Sequence, residues 1–198
     1  MTELWAGISP LEAIAVAFAI AYLLLAIRQN NWCWLAALIS SILSIFVFFG
    51  AQLFMESALQ IFYAGMAIYG WLQWTKGAYG HRVRVHTWPL RNHLRIIVGI
   101  LLISAAFAWA LSFTSQAMPF LDSLTTVAAI FTTYMVAKKV LENWIYWFVI
   151  DSISVYLYVS RDLMLYAALF VVYLALIIVG FKQWTAALRH ESAAVTDG

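Results

Sequence analysis

What most constrains this chain is the spacing of its charges. Seven stretches, approximately residues 10 to 27, 32 to 49, 53 to 74, 96 to 117, 121 to 137, 143 to 160 and 163 to 184, are apolar and poor in Lys, Arg, Asp and Glu. Each is close to the roughly 17 to 25 residues that a helix needs to cross about 30 Å of hydrocarbon. The runs are continuous rather than alternating, so they predict helices and not strands, and a spanning helix satisfies its own backbone hydrogen bonds. Charged residues make up 10% of the 198, against about 25% in ordinary soluble domains, too few to cover a water-facing surface. The expected fold class is an all-α integral membrane protein with seven transmembrane helices.

The same composition excludes several functions. A formal net charge of +2 provides no field for a polyanion, so no nucleic acid is expected as a partner. Cys33 is the single cysteine; with no Cys/His cluster, neither a metal nor any cofactor is expected. There is no phosphate-binding Gly-x-x-x-x-Gly-Lys-Ser/Thr loop, no His-Glu-x-x-His and no Gly-x-Ser-x-Gly, so no motif supports an enzyme.

Topology follows from the basic residues. No Lys or Arg precedes Arg28, so the first span is expected to remain in the protein rather than serve as a cleaved leader. With the N-terminus outside, Arg28, the Lys76 to Arg95 segment, Lys138, Lys139, Lys182 and Arg189 all face the cytoplasm. Only Arg161 faces out, so ten of the eleven Lys and Arg obey the positive-inside rule. The segment from Thr75 to Leu94, with His81, His86, His93, Arg82, Arg84 and Arg91, is expected to be a solvated cytoplasmic loop near anionic lipid heads rather than a pH sensor. The tail after Leu188 is expected to be short and loose.

The chain also repeats itself. At a shift of 110, residues 53 to 74 fall on 163 to 184, matching Tyr63 with Tyr173, Gly70 with Gly180, Gln73 with Gln183 and Trp74 with Trp184. The first and fifth spans align at the same shift, Glu12 with Asp122 and Arg28 with Lys138. For the middle spans a shift of 112 places Asn31-Trp32 on Asn143-Trp144 and Ser40 on Ser152. The expected plan is 3+1+3: a first three-helix repeat over 1–74, a basic loop and linker span over 75–118, a second repeat over 119–184 and a cytoplasmic tail over 185–198. Parallel repeats of this kind are one of the plans of secondary transporters, with substrate near the midplane.

Polar and flat side chains cluster on two spans. On the third, Gln60, Tyr63, Ala67, Trp71 and Trp74 recur at steps of three and four and share a helix face; on the sixth, so do Asn143, Trp147, Asp151 and Ser154. An intramembrane carboxylate is unfavourable by about 2.5 to 3.5 kcal/mol on insertion scales, so such groups are expected to point at protein, water or ligand. Equivalent faces converging on a central cleft would suit a flat, partly polar ring: stacking on an aromatic contributes about 1 to 3 kcal/mol, and a cationic ring gains from Trp faces and from an ionised Asp151. The competing reading makes Trp74 and Trp184 interface anchors. Glu12 and Asp122 read as helix caps or loop ties, and Ser40, Ser41 and Ser44 as a helix contact.

The segments Ile68-Tyr69-Gly70-Trp71-Leu72-Gln73-Trp74, with its Trp-x-x-Trp, and Glu142-Asn143-Trp144-Ile145-Tyr146-Trp147, with its Asn-x-x-x-Trp, resemble the two signatures of the PnuC family of bacterial vitamin transporters; Leu121-Asp122-Ser123 and Leu59-Gln60 also fit. The likeness covers nearly the whole chain. It implies a seven-helix fold similar to a SWEET transporter with its own helix order, and a multi-pass protein of the bacterial inner membrane. It further implies uptake of nicotinamide riboside by facilitated diffusion, trapped by phosphorylation on a separate cytoplasmic kinase. By that likeness Trp71, Trp74, Asn143 and Trp147 contribute to the substrate site, supported by Gln60 and Asp151. Ala67 stands where some relatives carry an amide, which leaves thiamine and riboflavin as alternative vitamins. From other classes, an intramembrane enzyme acting on a lipid would need a reactive pair that is not found, and a non-transporting membrane interaction protein would bind without passage. The expected partners are the small-molecule vitamin and the lipid bilayer, and a homo-oligomer is compatible with the sequence.

Overall fold

The computed structural model describes residues 10–50, 54–76, 83–113, 118–160 and 164–196, without the side chains of residues 54–56, 165 and 191–196. Across them run seven helices: α1 (Pro10–Ile27), α2 (Trp32–Gly50), α3 (Phe54–Lys76), α4 (Leu90–Leu111), α5 (Pro119–Ala137), α6 (Asn143–Ser160) and α7 (Met164–Thr196). Among the described residues the extended pairing is confined to one isolated bridge, His86 with Val140. The helices α1, α2, α4 and α5 and the Tyr166–His190 part of α7 are long and apolar enough to cross a membrane. The remaining two, α3 and α6, carry the amides, the carboxylate and the indoles singled out above. His81, Arg82, Arg161, Leu53 and Leu163 lie outside the described residues, as does the Glu56 side chain.

The chain forms two compact units that divide between Val83 and Arg84. In the first, α2 packs on both α1 and α3. Lipid tails are as apolar as Leu, so helices in a bilayer are joined by close packing and interhelical hydrogen bonds. The Ser40 hydroxyl accordingly donates to the Ala15 carbonyl (2.9 Å), and Ser57 donates to the Ile45 carbonyl (3.1 Å). In the second unit α4 packs on α5, α5 on α6 and α6 on α7. Ile100 of α4, Val127 and Ala128 of α5 and Ile150 of α6 form one buried cluster, and Ser104 of α4 donates to the Ser123 carbonyl of α5 (3.4 Å).

Both units turn their helices in the same way. After α1, Gln29 N–H donates to Ala26 O (3.0 Å) and Asn30 N–H to Leu25 O (2.9 Å); after α5, Lys139 N–H donates to Val136 O (2.9 Å) and Val140 N–H to Met135 O (3.0 Å). These are two Schellman caps, in which paired back-bonds satisfy the last carbonyls of a helix around a left-handed residue. Each cap is followed at once by α2 or α6, whose Trp34 or Trp144 lies against a glycine of the next helix. A Cβ on Gly70 would run into the Trp34 indole, and one on Gly180 would meet Trp144 at 2.5 to 2.7 Å. Beside each glycine stands a second indole: Trp34 and Trp74 meet edge-on at 5.4 Å and 87°, Trp144 and Trp184 at 5.5 Å and 86°. Trp74 and Trp184 are therefore packing residues inside their units, 2% and 0% exposed, and not interface anchors.

These pairs correct the repeat register. Caps, glycines and indoles all correspond at a shift of 110, so Trp144 answers to Trp34 and not to Trp32, which is 58% exposed. The shift of 112 expected for the middle spans arose from a coincidence of Asn-Trp dipeptides. Several boundaries also differ from expectation, and α4 ends at Leu111 rather than near residue 117. Helix α4 begins at Leu90, directly after Pro89 at its cap, so Arg91, His93 and Arg95 lie on the helix; long basic side chains are tolerated at a helix end because their heads reach the interface. Helix α7 continues to Thr196, since no Gly or Pro follows Gly180 until Gly198 to stop it; the tail is not loose over that stretch. Nor is the whole segment from Thr75 to Leu94 a solvated loop: His86 N–H donates to Lys139 O (3.2 Å) and Leu141 N–H to His86 O (2.9 Å), which docks the strand-like piece before α4 on the α5–α6 turn.

Candidate binding site

The polar face of α6 is built from its first residue. Asn143 closes the turn that follows the second cap, is fully buried, and donates through Nδ2 to the Val140 carbonyl at 2.6 Å. Its Oδ1 is buried and has no hydrogen-bond partner among the described residues. A buried carbonyl oxygen left unpaired destabilises by about 1 to 3 kcal/mol, which sets this acceptor apart on α6. Two turns further on, Asp151 is also buried, with Ser154 a turn beyond it. The Ser154 hydroxyl donates to Ile150 O at 3.0 Å, within its own helix. Trp147, half-buried between Asn143 and Asp151 along α6, packs on the Ile100, Val127, Ala128 and Ile150 cluster.

In the first unit the buried stripe of α3 is Ala67, Gly70 and Trp74, the side turned to α2. Trp71 is one step round from Gly70 and half-buried, and Trp32 stands edge-on to it at 5.6 Å and 72°. Edge-to-face indole pairs contribute about 0.5 to 1.5 kcal/mol, so Trp32 orients Trp71. Gln60 and Tyr63 are half-buried on the same helix. Of the six residues expected from the sequence, Gln60, Trp71 and Trp74 thus belong to α3 of one unit and Asn143, Trp147 and Asp151 to α6 of the other. Within that set the Trp74 indole is already engaged by Trp34.

The corrected register shows that the two units are equipped differently. Where α6 has Asn143, Trp147 and Asp151, α2 has Cys33, Ala37 and Ser41. Where α3 has Gln60 and Trp71, α7 has Phe170 and Phe181. A duplicated scaffold therefore carries its carboxylate and free amide oxygen on the middle helix of one unit and its glutamine and half-buried indole on the last helix of the other. Trp32 and Trp34 were not singled out as functional from sequence; for Trp34 the signal was the 110-residue spacing to Trp144, obscured by the dipeptide match, whereas Trp32 falls on Glu142 at that spacing and carried no such signal. Chemically, these groups can stack on a ring, accept hydrogen bonds from it and attract positive charge. Among the described residues no three His, Cys, Asp or Glu side chains gather as metal ligands.

Together these features define a polytopic α-helical membrane protein with an internally duplicated helical core and a few buried polar groups. The chain belongs to the nicotinamide mononucleotide transporter family, whose profile matches residues 9–186. It is thus a member of a family of multi-pass membrane transporters. It is 26% identical over 181 residues to the riboflavin/roseoflavin transporter RibM of Streptomyces davaonensis, covering 89% of this chain and 84% of that protein. It is 22% identical over 174 residues to the nicotinamide riboside transporter PnuC of Escherichia coli, covering 74% of this chain and 73% of that one. The crystal structure of the vitamin B3 transporter PnuC matches it with a TM-score of 0.74 at 20% identity, over 94% of this chain and 85% of the other. That match establishes the fold.

Proposed function

We propose that the chain takes up nicotinamide riboside across the bacterial inner membrane by facilitated diffusion, with trapping by a separate kinase and no catalytic step of its own. The N-terminus faces out and the C-terminus the cytoplasm, the orientation that puts Arg28, Lys138 and Lys139 inside. Trp71 and Trp147 stack on the pyridinium, Asn143 and Gln60 bond the amide or ribose, and Asp151 attracts the positive ring. Trp74 serves the same site by holding α3 against Trp34. The chain divides functionally into a three-helix repeat (1–74), a connector (75–118), a second repeat (119–184) and a tail (185–198).

The observation that carries this reading is the buried, unpartnered Asn143 Oδ1 within the Asn-x-x-x-Trp segment, an acceptor suited to the donor of a carboxamide or hydroxyl group. Calorimetry of the purified protein across nicotinamide riboside, riboflavin and thiamine tests it. Nicotinamide riboside binds most tightly, and Asn143→Ala weakens it roughly tenfold to a hundredfold, as expected for a lost buried hydrogen bond. Equal affinity in Asn143→Ala removes the residue from the site. A riboflavin reading has its own support in the 26% identity to RibM; tighter binding of riboflavin in the same panel would replace the substrate and leave the transporter class standing.

A further inference from the structure

Between α4 and α6, over α5, the second unit has a cleft of about 510 Å³. Its walls are Ile97, Ile100 and Leu101 of α4, Leu124 and Ala128 of α5 and, on α6, a row from Ile145 to Ile153. The rim is open sideways, with Ile97 and Leu101 at 42% and 45% exposure facing Ile145 and Val149 at 52% and 53%. From Glu142 to Ile153 the lining follows α6 for roughly 16 Å of helix rise. An apolar slot of this length, opening between helices in a bilayer, suits a hydrocarbon chain.

One end is different. His93 at the start of α4 and Glu142 and Tyr146 at the start of α6 also line the cleft. His93 Nδ1 and the Tyr146 hydroxyl share a hydrogen bond of 3.1 Å. His93 Nε2 lies 3.7 Å from Glu142 Oε1. The other Glu142 oxygen accepts the Trp88 N–H at 3.4 Å. The Trp88 ring is 6.2 Å from that of His93 and 6.5 Å from that of Tyr134, and the Lys138 ammonium stands 5.7 Å from the Tyr134 ring centroid. A carboxylate is thus joined by an aromatic row to an ammonium, at the level where aromatic and charged residues meet lipid headgroups. Arg91 and Arg95 are each two residues from His93, about 160° round the helix, and so do not add positive charge to the cleft.

We propose that this cleft is a site for one phospholipid with an ammonium headgroup, of the phosphatidylethanolamine type. One acyl chain lies along α6 between Ile145 and Ile153. The ammonium is held by the Glu142 carboxylate and the rings of Trp88 and Tyr146, and the phosphate turns toward Lys138. An anionic lipid without an ammonium would bring no cation of its own to the Glu142 carboxylate, so the site selects by headgroup. The lipid ties α4 to α6 across the gap that side chains leave open.

Native mass spectrometry of the full-length, detergent-purified protein, titrated with phosphatidylethanolamine or phosphatidylglycerol of matched acyl chains, tests this independently of the transported substrate. The wild type retains one phosphatidylethanolamine with a preference of about tenfold, the size of one charge-assisted hydrogen bond. Glu142→Gln abolishes the preference while keeping the acceptor for Trp88. Val149→Trp, or Ile145→Trp should the first variant fail to fold, fills the slot and releases the lipid. Equal retention of both lipids by the wild type, or unchanged retention in the filled variant, overturns the proposal. So does a filled variant that loses self-association and not lipid, which would assign the cleft to a second copy of the chain.

Discussion

Gln29 and Lys139, 110 residues apart, share a left-handed backbone, with φ of 53° and 56°, and among the described residues they are the non-glycine positions that do. Each ends a helix with the same pair of back-bonds and launches the next helix so that an indole lands on a glycine. Duplicated backbone strain at corresponding positions is stronger evidence of repeated structure than matched Leu and Ala, because an L side chain adopts this conformation at a penalty of about 1 to 2 kcal/mol.

Relieving that strain stabilises the fold. Gln29→Gly removes the Cβ clash at a position where glycine is the usual residue, and a gain of about 1 kcal/mol is expected, read as a higher melting temperature in detergent. Gln29→Val, which is β-branched, lowers it. A glycine variant that melts below the wild type would show that the turn is held by something other than this cap.

The indole-on-glycine contacts leave no room for a methyl group. Gly70→Ala and Gly180→Ala are each expected to destabilise by about 1 to 3 kcal/mol, the usual range for overpacking. Gly65, with nothing within 4 Å of its would-be Cβ, is the control: Gly65→Ala is neutral or gains up to about 1 kcal/mol of helix propensity. Thermal melts of the three variants check this.

Much of the fold was legible because a bilayer leaves few options: seven charge-poor runs became seven helices, and the ends of α1 and α6 fall where the charges and Asn143 place them. The start of α4 was hidden because Arg91, His93 and Arg95 look like loop residues until a helix end is allowed to carry them. The end of α7 was hidden because polar composition past Leu188 does not break a helix. At the site, the periodicity of Asn143, Trp147 and Asp151 placed them together on α6, as the structure does. The engagement of Trp74 by Trp34, and of Trp71 by Trp32, was not legible, because contacts between helices depend on which faces meet and no pattern within one helix encodes that. The repeat, read at 110 throughout, marked the Trp34 and Trp74 pair through Trp144 and Trp184, but Trp32 and Trp71 fall on Glu142 and Phe181 and had no such marker.

On the proposed reading, Asp151 is expected to separate the two vitamins by charge. Asp151→Asn keeps the shape of the side chain and removes its ability to carry a negative charge, so the cationic nicotinamide riboside should bind about tenfold more weakly or worse, while neutral riboflavin should be much less affected. Calorimetry or competition binding with both compounds gives the ratio. A parallel loss for both would make Asp151 a structural residue.

The most direct test of a carrier is passage. In sealed proteoliposomes without ATP or an ion gradient, labelled nicotinamide riboside should enter saturably until its concentrations inside and outside are equal, and Trp147→Ala, purified with an unchanged melting temperature, should abolish entry. Binding without entry, entry only when a gradient is imposed, or full transport by Trp147→Ala would contradict the account.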